Sequence, residues 1–250
     1  MTSISPLVGL GSDTQVTYTA ATARRVGLEP IPLIRLPMFR FFSRPAPLVL
    51  ALAFCTFIPV LTALVQVFQI PSGTYPDDSA RLAVAPISWF AHVLAGVAFG
   101  ITGPVQFVRA LRHRFGALHR VSGRIFVLSG AILGLSGLSL LAQVTSERTA
   151  LVDIARGLFG LALLIALAVA MAAIRDRDFL LHRAWAIRAY AIGMGLGAVA
   201  LVFFPIYIIT GDPPNGLAAD ILFVASWVLT IAFAEAVIRY SSRSSPRVHT

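Results

Sequence analysis

The chain has 250 residues, of which 57% are hydrophobic and only 12% charged, and its formal net charge is +9. Soluble domains carry about 25% charged residues, so this composition excludes an ordinary water-soluble globule and calls for lipid as solvent. The positive charge would suggest nucleic acid in a soluble protein, but here the arginines sort by side of the membrane, and no nucleic-acid partner is expected.

The first 45 residues are mixed and arginine-bearing, with no small-residue cleavage site after the apolar run, so they do not read as a signal peptide. Residues 1–28 are expected to be disordered. Residues 31–45 interleave Phe39, Phe41 and Phe42 with arginines, while Pro32 and Pro37 argue against one continuous helix; the expectation is an anchor lying on anionic lipid. Six hydrophobic runs follow, over roughly 46–70, 86–108, 121–144, 150–173, 184–208 and 217–238, each near the 20 or so residues that cross a bilayer core. The first contains the lone cysteine, Cys55, which excludes an intrachain disulfide or a multi-cysteine metal site. The second contains Pro104, expected to kink the helix near its inner end and to free a carbonyl; nearby Gln106 could satisfy it or bond across helices. Residues 239–250 form a short tail.

Seventeen of the 20 basic residues fall in the N-terminal segment, the second and fourth connections and the tail, leaving only Arg81, Arg148 and Arg156 on the other side. By the positive-inside rule both termini are cytoplasmic, and a slip in one span would scramble the alternation. Glycine then divides the spans: the first and last contain none, and the middle four contain twelve. Gly96/Gly100, Gly130/Gly134 and Gly193/Gly197 have the G-x-x-x-G spacing that lets helix backbones approach closely. A shift of 63 residues superposes Arg112, Arg114, Leu118, His119 and Arg120 on Arg175, Arg177, Leu181, His182 and Arg183. The predicted fold is therefore all-α: an integral membrane six-helix bundle, with a core of four Gly-rich helices (two repeated hairpins in parallel arrangement) flanked by the first and last helices.

The duplicated Leu-His-Arg carries the candidate chemistry. His119 and His182 each start an outward-running helix, at one depth, on a small-residue stripe facing the bundle, and their rings should face one another across the core. Such a pair meets the minimum for bis-imidazole ligation of haem b, with Arg120, Arg183, Arg124 and Arg188 placed to neutralise propionates. His92 lies alone at the outer depth, and a haem-free two-histidine metal site would have only Asp176 and Asp178 to complete it. The same His-Arg pairs suit contacts to lipid headgroups, loop carbonyls or the facing repeat, or an anion or quinone pocket. Glu235 and Arg239, and Asp153 and Arg156, have the spacing of same-helix ion pairs. There is no P-loop, nucleophile elbow or H-E-x-x-H, and so no positive sign of an ATPase, hydrolase or zinc protease.

His92, then "GPVQF", an arginine-rich turn, "LHRVSGR" and "HRAWAIRAYA" resemble, over roughly residues 86–210, the bacterial membrane-protein family known as domain of unknown function 2306. The resemblance implies that His92, Gln106, Arg109, His119, Arg120, Gly123, Arg124, His182, Arg183, Trp185 and Arg188 match the family pattern. After Trp185 the pattern commonly reads Met-Ile-Arg-Ser; here Ala186 and Ala189 replace the outer two residues and the arginine stays. It implies a fold and a motif list, not a reaction, and a likeness to the cytochrome b561 four-helix haem core is analogy alone. Three functions stay open for this multi-pass protein of a bacterial inner membrane: a non-catalytic component binding anionic lipid or a partner subunit, a b-haem redox subunit, and a small-solute transporter. Transport ranks last, because beyond Gln106 the midplane offers almost no polar path.

Overall fold

The computed structural model describes residues 45–195 and 197–243, and every regular element among them is a helix. The expected N-terminal anchor and the last seven residues, 244–250, lie outside the described residues. In chain order the elements are α1 (Pro45–Ser72), a 3-10 segment (Asp77–Val84), α2 (Pro86–Gln106), a short α3 (Arg109–Arg114), α4 (Gly116–Gln143), α5 (Ala150–Arg175), α6 (Phe179–Gly193), α7 (Gly197–Thr210) and α8 (Gly216–Arg243). Five stretches are long and apolar enough to cross a membrane: Pro86–Gln106, Gly116–Gln143, Ala150–Arg175, Phe179–Thr210 and Gly216–Tyr240; Thr56–Ser72 adds a shorter apolar helix.

The most extensive packing is between α2 and α4 and between α5 and α6; α4 also lies against α5, α1 against α2 and α7, and α8 against α5, α6 and α7. Helix ends follow local chemistry. Pro86 opens α2 at a position where its missing N–H costs nothing. At the end of α1, Gly73 takes φ +67°, and the amides of Gly73 and Thr74 close back on the carbonyls of Ile70 and Gln69, a Schellman motif. α5 ends the same way, but with Arg177 in the left-handed position (φ 61°); Arg177 and Asp178 donate to Ile174 and Ala173 at 3.2 and 2.8 Å. Asp178 then opens α6, its carboxylate accepting from the amide of Leu181 at 2.9 Å. One residue thus closes a helix with its backbone and opens the next with its side chain.

The α2–α4 pair is a heptad zipper. Three Ser-Gly dipeptides, Ser122-Gly123, Ser129-Gly130 and Ser136-Gly137, recur at seven-residue spacing on α4. His92, Phe99 and Gln106 recur at the same spacing on α2. The antiparallel helices set each α2 residue on one glycine. A Cβ built on Gly137 would lie 3.3 Å from the His92 ring, one on Gly130 2.7 Å from the Phe99 ring, and one on Gly123 3.2 Å from the Gln106 amide oxygen. A seven-residue period keeps one seam of two gently supercoiled helices in contact, knob into hole. The two polar knobs also bond the serine beside their glycine: Gln106 Nε2 donates to Ser122 Oγ at 2.7 Å, and His92 Nδ1 lies 3.2 Å from Ser136 Oγ and 3.2 Å from the Leu133 carbonyl. Each serine donates to its own helix, four residues back, at 2.8, 2.7 and 2.6 Å, so no hydroxyl proton is stranded in the apolar interior.

Most glycines of the G-x-x-x-G pairs therefore receive side chains rather than backbones. Gly134 and Gly160 are where α4 and α5 come close backbone to backbone: a Cβ on Gly134 would lie 3.4 Å from the Gly160 carbonyl oxygen. The fifth apolar run is also not one helix. It breaks between α6 and α7, where Gly193, Gly195 and Gly197 alternate and each weakens the helix by about 1 kcal/mol. The Trp227 ring of α8 lies over Gly195 where any Cβ would collide, and its Nε1–H donates to the Ile192 carbonyl at 3.0 Å. A carbonyl loosened in the membrane interior thus gains a donor.

Candidate functional site

The centre of the bundle is filled by aromatic rings. Phe99 and Phe126 stack at 4.6 Å, and Tyr190 lies 5.7 Å from Phe99 and 6.3 Å from Phe126. All three are buried, Phe99 completely. A Cβ on Gly103 would lie 2.0 Å from the Tyr190 ring, and one on Gly193 would lie 2.5 Å from Phe99. Pro104 removes the donor that the Gly100 carbonyl would otherwise have, and the Tyr190 hydroxyl takes its place at 3.3 Å, with Thr56 Oγ1 also 3.3 Å away. Of the two roles open to Gln106, a bond across helices or satisfaction of this carbonyl, the structure has the first: its amide is bound to Ser122 of α4, and glycines at 100 and 103 leave the space for a ring from α6.

The arginine-rich end holds the predicted site. His119 and His182 lie in the first turns of α4 and α6, which pack against one another, and Arg112, His182 and Arg120 are near enough to act electrostatically on the His119 ring. Their hydrogen bonding differs. His182 Nδ1 lies 2.8 Å from the Ala170 carbonyl; a carbonyl only accepts, so Nδ1 carries a proton and donates. His119 Nδ1 is shut off from solvent and has no partner among the described residues. A proton there would be an unsatisfied buried donor costing about 1–3 kcal/mol, so it belongs on Nε2.

Arg120 and Arg124 are exposed, and Arg183 is half-buried. Arg188 is engaged elsewhere: its Nε and Nη2 reach the Glu235 carboxylate of α8 at 2.5 and 3.1 Å, and its guanidinium lies 4.7 Å from the Trp185 ring centre. The expected Glu235–Arg239 pairing is thereby corrected, since the bidentate partner comes from another helix. Arg109 begins α3, and its side chain lies outside the described residues. No group of three or more metal-ligating side chains occurs among the described residues.

At the opposite end the chain builds an ion-pair latch that the sequence reading missed. Asp220, almost fully buried in α8, accepts from Arg148 Nη1 at 2.9 Å and from the amide of Thr149 at 3.0 Å, capping α5 from another helix. Arg156 pairs with Asp153 at 3.2 Å as the spacing foretold, and Arg81 pairs with Glu147 at 3.1 Å. Arg148 and Arg156 both lie over the Phe223 ring, at 5.6 and 5.5 Å. The available signal was a solitary aspartate inside an apolar run, since an intramembrane carboxylate implies a partner.

These features define a multi-pass, all-helical membrane protein with a ring-filled core and a basic end. Residues 89–238 match the model of the family described as Predicted membrane protein (DUF2306), and the chain belongs to that family. The match takes in α8 with Glu235 and Asp220, beyond the motif region read from the sequence. No curated protein and no solved structure was found to match.

Proposed function

We propose that the chain is a non-catalytic component of a bacterial inner membrane, whose basic cytoplasmic end binds anionic headgroups or a partner subunit. In this reading α1 is the sixth span: 28 residues extend about 42 Å as a helix, ample for a hydrocarbon core of about 30 Å. α2–α4 and α5–α6 are the repeated hairpins, and the arginine distribution sets both termini inside. The observation that carries the reading is the Phe99–Phe126–Tyr190 plug, which occupies the glycine surfaces that a macrocycle or a transported solute would need.

One observation favours haem b as a second reading. The Nδ1–H of His182 is held by a backbone carbonyl, the second-sphere bond that orients a histidine for ligation of iron through Nε2. His119 weakens it, because ligation through Nε2 would move its proton onto a covered nitrogen without an acceptor. Absorption spectra of detergent-purified protein, oxidised and dithionite-reduced, after expression with ample haem, decide between them. A colourless folded protein supports the non-catalytic reading. A Soret band with sharp reduced bands, lost in both His119→Ala and His182→Ala, would replace it with a b-type cytochrome.

A further inference from the structure

The chain contains a single asparagine, Asn215, and the residue after it is glycine. The pair ends the connection between α7 and α8 and opens α8. Both residues are exposed. The first backbone bond of α8 runs from the Ala219 amide to the Asn215 carbonyl at 3.4 Å. Asn215 is therefore the N-cap, and the Gly216 amide lies ahead of the helical ladder with no backbone acceptor. An N-cap asparagine ordinarily accepts from an amide of the first turn, but the Asn215 side chain makes no hydrogen bond among the described residues. Gly216 takes φ +60°, and a Cβ built on it would meet nothing within 4 Å, so no neighbouring group crowds the approach to its nitrogen.

We propose that Asn215–Gly216 is a site of spontaneous deamidation, which converts the start of α8 to aspartate and isoaspartate. The Gly216 nitrogen gives its proton to a solvent base and bonds to the side-chain carbonyl carbon of Asn215. Ammonia leaves, taking a proton back from solvent, as a cyclic imide closes. Water then opens the ring at either carbonyl. One opening gives aspartate in the ordinary backbone; the other gives isoaspartate, whose main chain runs through the former side chain. The sum is asparagine plus water to a carboxylic residue plus ammonia, with no change of oxidation state. The helix assists the first step, because its start is the positive end of the dipole and favours the anion formed when Gly216 loses its proton. The two products differ in what they do to α8. Aspartate caps as well as asparagine and adds charge of the favourable sign. Isoaspartate adds a methylene to the main chain in the turn before Asp220, the residue that holds Arg148 and the Thr149 amide.

The test is intact-protein mass spectrometry of the full-length protein in detergent, aged at neutral and at mildly alkaline pH. The mass should rise by the replacement of one NH2 by OH, faster at the alkaline pH, and fragmentation should place the change at residue 215. Isoaspartyl methyltransferase should label the aged protein and not the fresh one. Asn215→Gln should abolish both signals, because its longer side chain closes a larger ring far more slowly, and at an exposed position it leaves the fold intact. An unchanged mass in wild-type protein after alkaline ageing overturns the proposal. An equal rise in Asn215→Gln also overturns it, since the change would then lie in glutamine. A rise confined to acid would mean direct hydrolysis of the side-chain amide, and aspartate without isoaspartate would mean the same; either result removes the cyclic imide and with it the part played by Gly216.

Discussion

The Tyr190 hydroxyl shows how much one atom can carry where water is absent. Its proton goes to the Gly100 carbonyl, which Pro104 has deprived of a helical donor. Tyr190→Phe should cost about 1–3 kcal/mol, the penalty for a buried unsatisfied acceptor, measured as reversible unfolding in micelles. Pro104→Ala would restore an amide donor to that carbonyl, so in that background Tyr190→Phe should cost clearly less; additive costs would show that the bond is not what matters. The freed carbonyl was legible from Pro104 alone. Its partner was not, because the donor stands 86 residues away and only packing brings α6 onto α2. Asp220 illustrates the same limit, an isolated acid whose partner could not be named. Arg148→Gln strands its buried carboxylate, while Asp220→Asn leaves Arg148 free to reach water. Arg148→Gln should therefore lower the unfolding midpoint more than Asp220→Asn, and the opposite order would mean that the charge is not buried in the membrane-bound protein.

At the scale of elements, the seams follow spacing that can be read in the chain once the period is recognised. The G-x-x-x-G reading found the right faces but predicted backbone contact; the Ser-Gly heptad explains why α4 accepts three knobs from α2. Four-residue and seven-residue periods share glycines here, and only the facing helix tells which is used. Gly130→Ala should destabilise by about 1–3 kcal/mol through overpacking, since the added carbon would stand 2.7 Å from Phe99 and 2.9 Å from Leu167. A double-mutant cycle with Phe99→Leu should recover part of this, because the shorter side chain vacates the hole; full additivity would place the strain elsewhere. The α5–α6 corner makes a prediction of opposite sign. Arg177 is the one non-glycine with positive φ among the described residues, and Arg177→Gly should stabilise by about 1 kcal/mol. A loss of stability would mean that its side chain matters more than its backbone.

At the scale of the whole molecule, composition and arginine distribution say more than any motif. Lipid as solvent forces helices, which follows from one chain without tertiary information; of the six runs, five form stretches long and apolar enough to span and the first a shorter apolar helix. The break in the fifth run does not follow in the same way, because alternating glycines permit it but Trp227 of another helix fixes it. That break makes sidedness worth measuring, since a broken helix either crosses or turns back. In a chain carrying Cys55→Ala, single cysteines at the exposed positions His113, Thr145 and Asn215 report three connections. The proposed topology requires Thr145→Cys and Asn215→Cys to react with an impermeant maleimide in intact spheroplasts, and His113→Cys to react only after permeabilisation. Thr145 and Asn215 are separated by α5 and the α6–α7 pair, so they share a side only if the broken run traverses the bilayer. Labelling of Thr145→Cys with protection of Asn215→Cys would show α6–α7 to be re-entrant, and would place α8 and the Asp220 latch in a different topology. Labelling of His113→Cys from outside would invert the molecule, and with it the assignment of the basic end to the cytoplasmic leaflet.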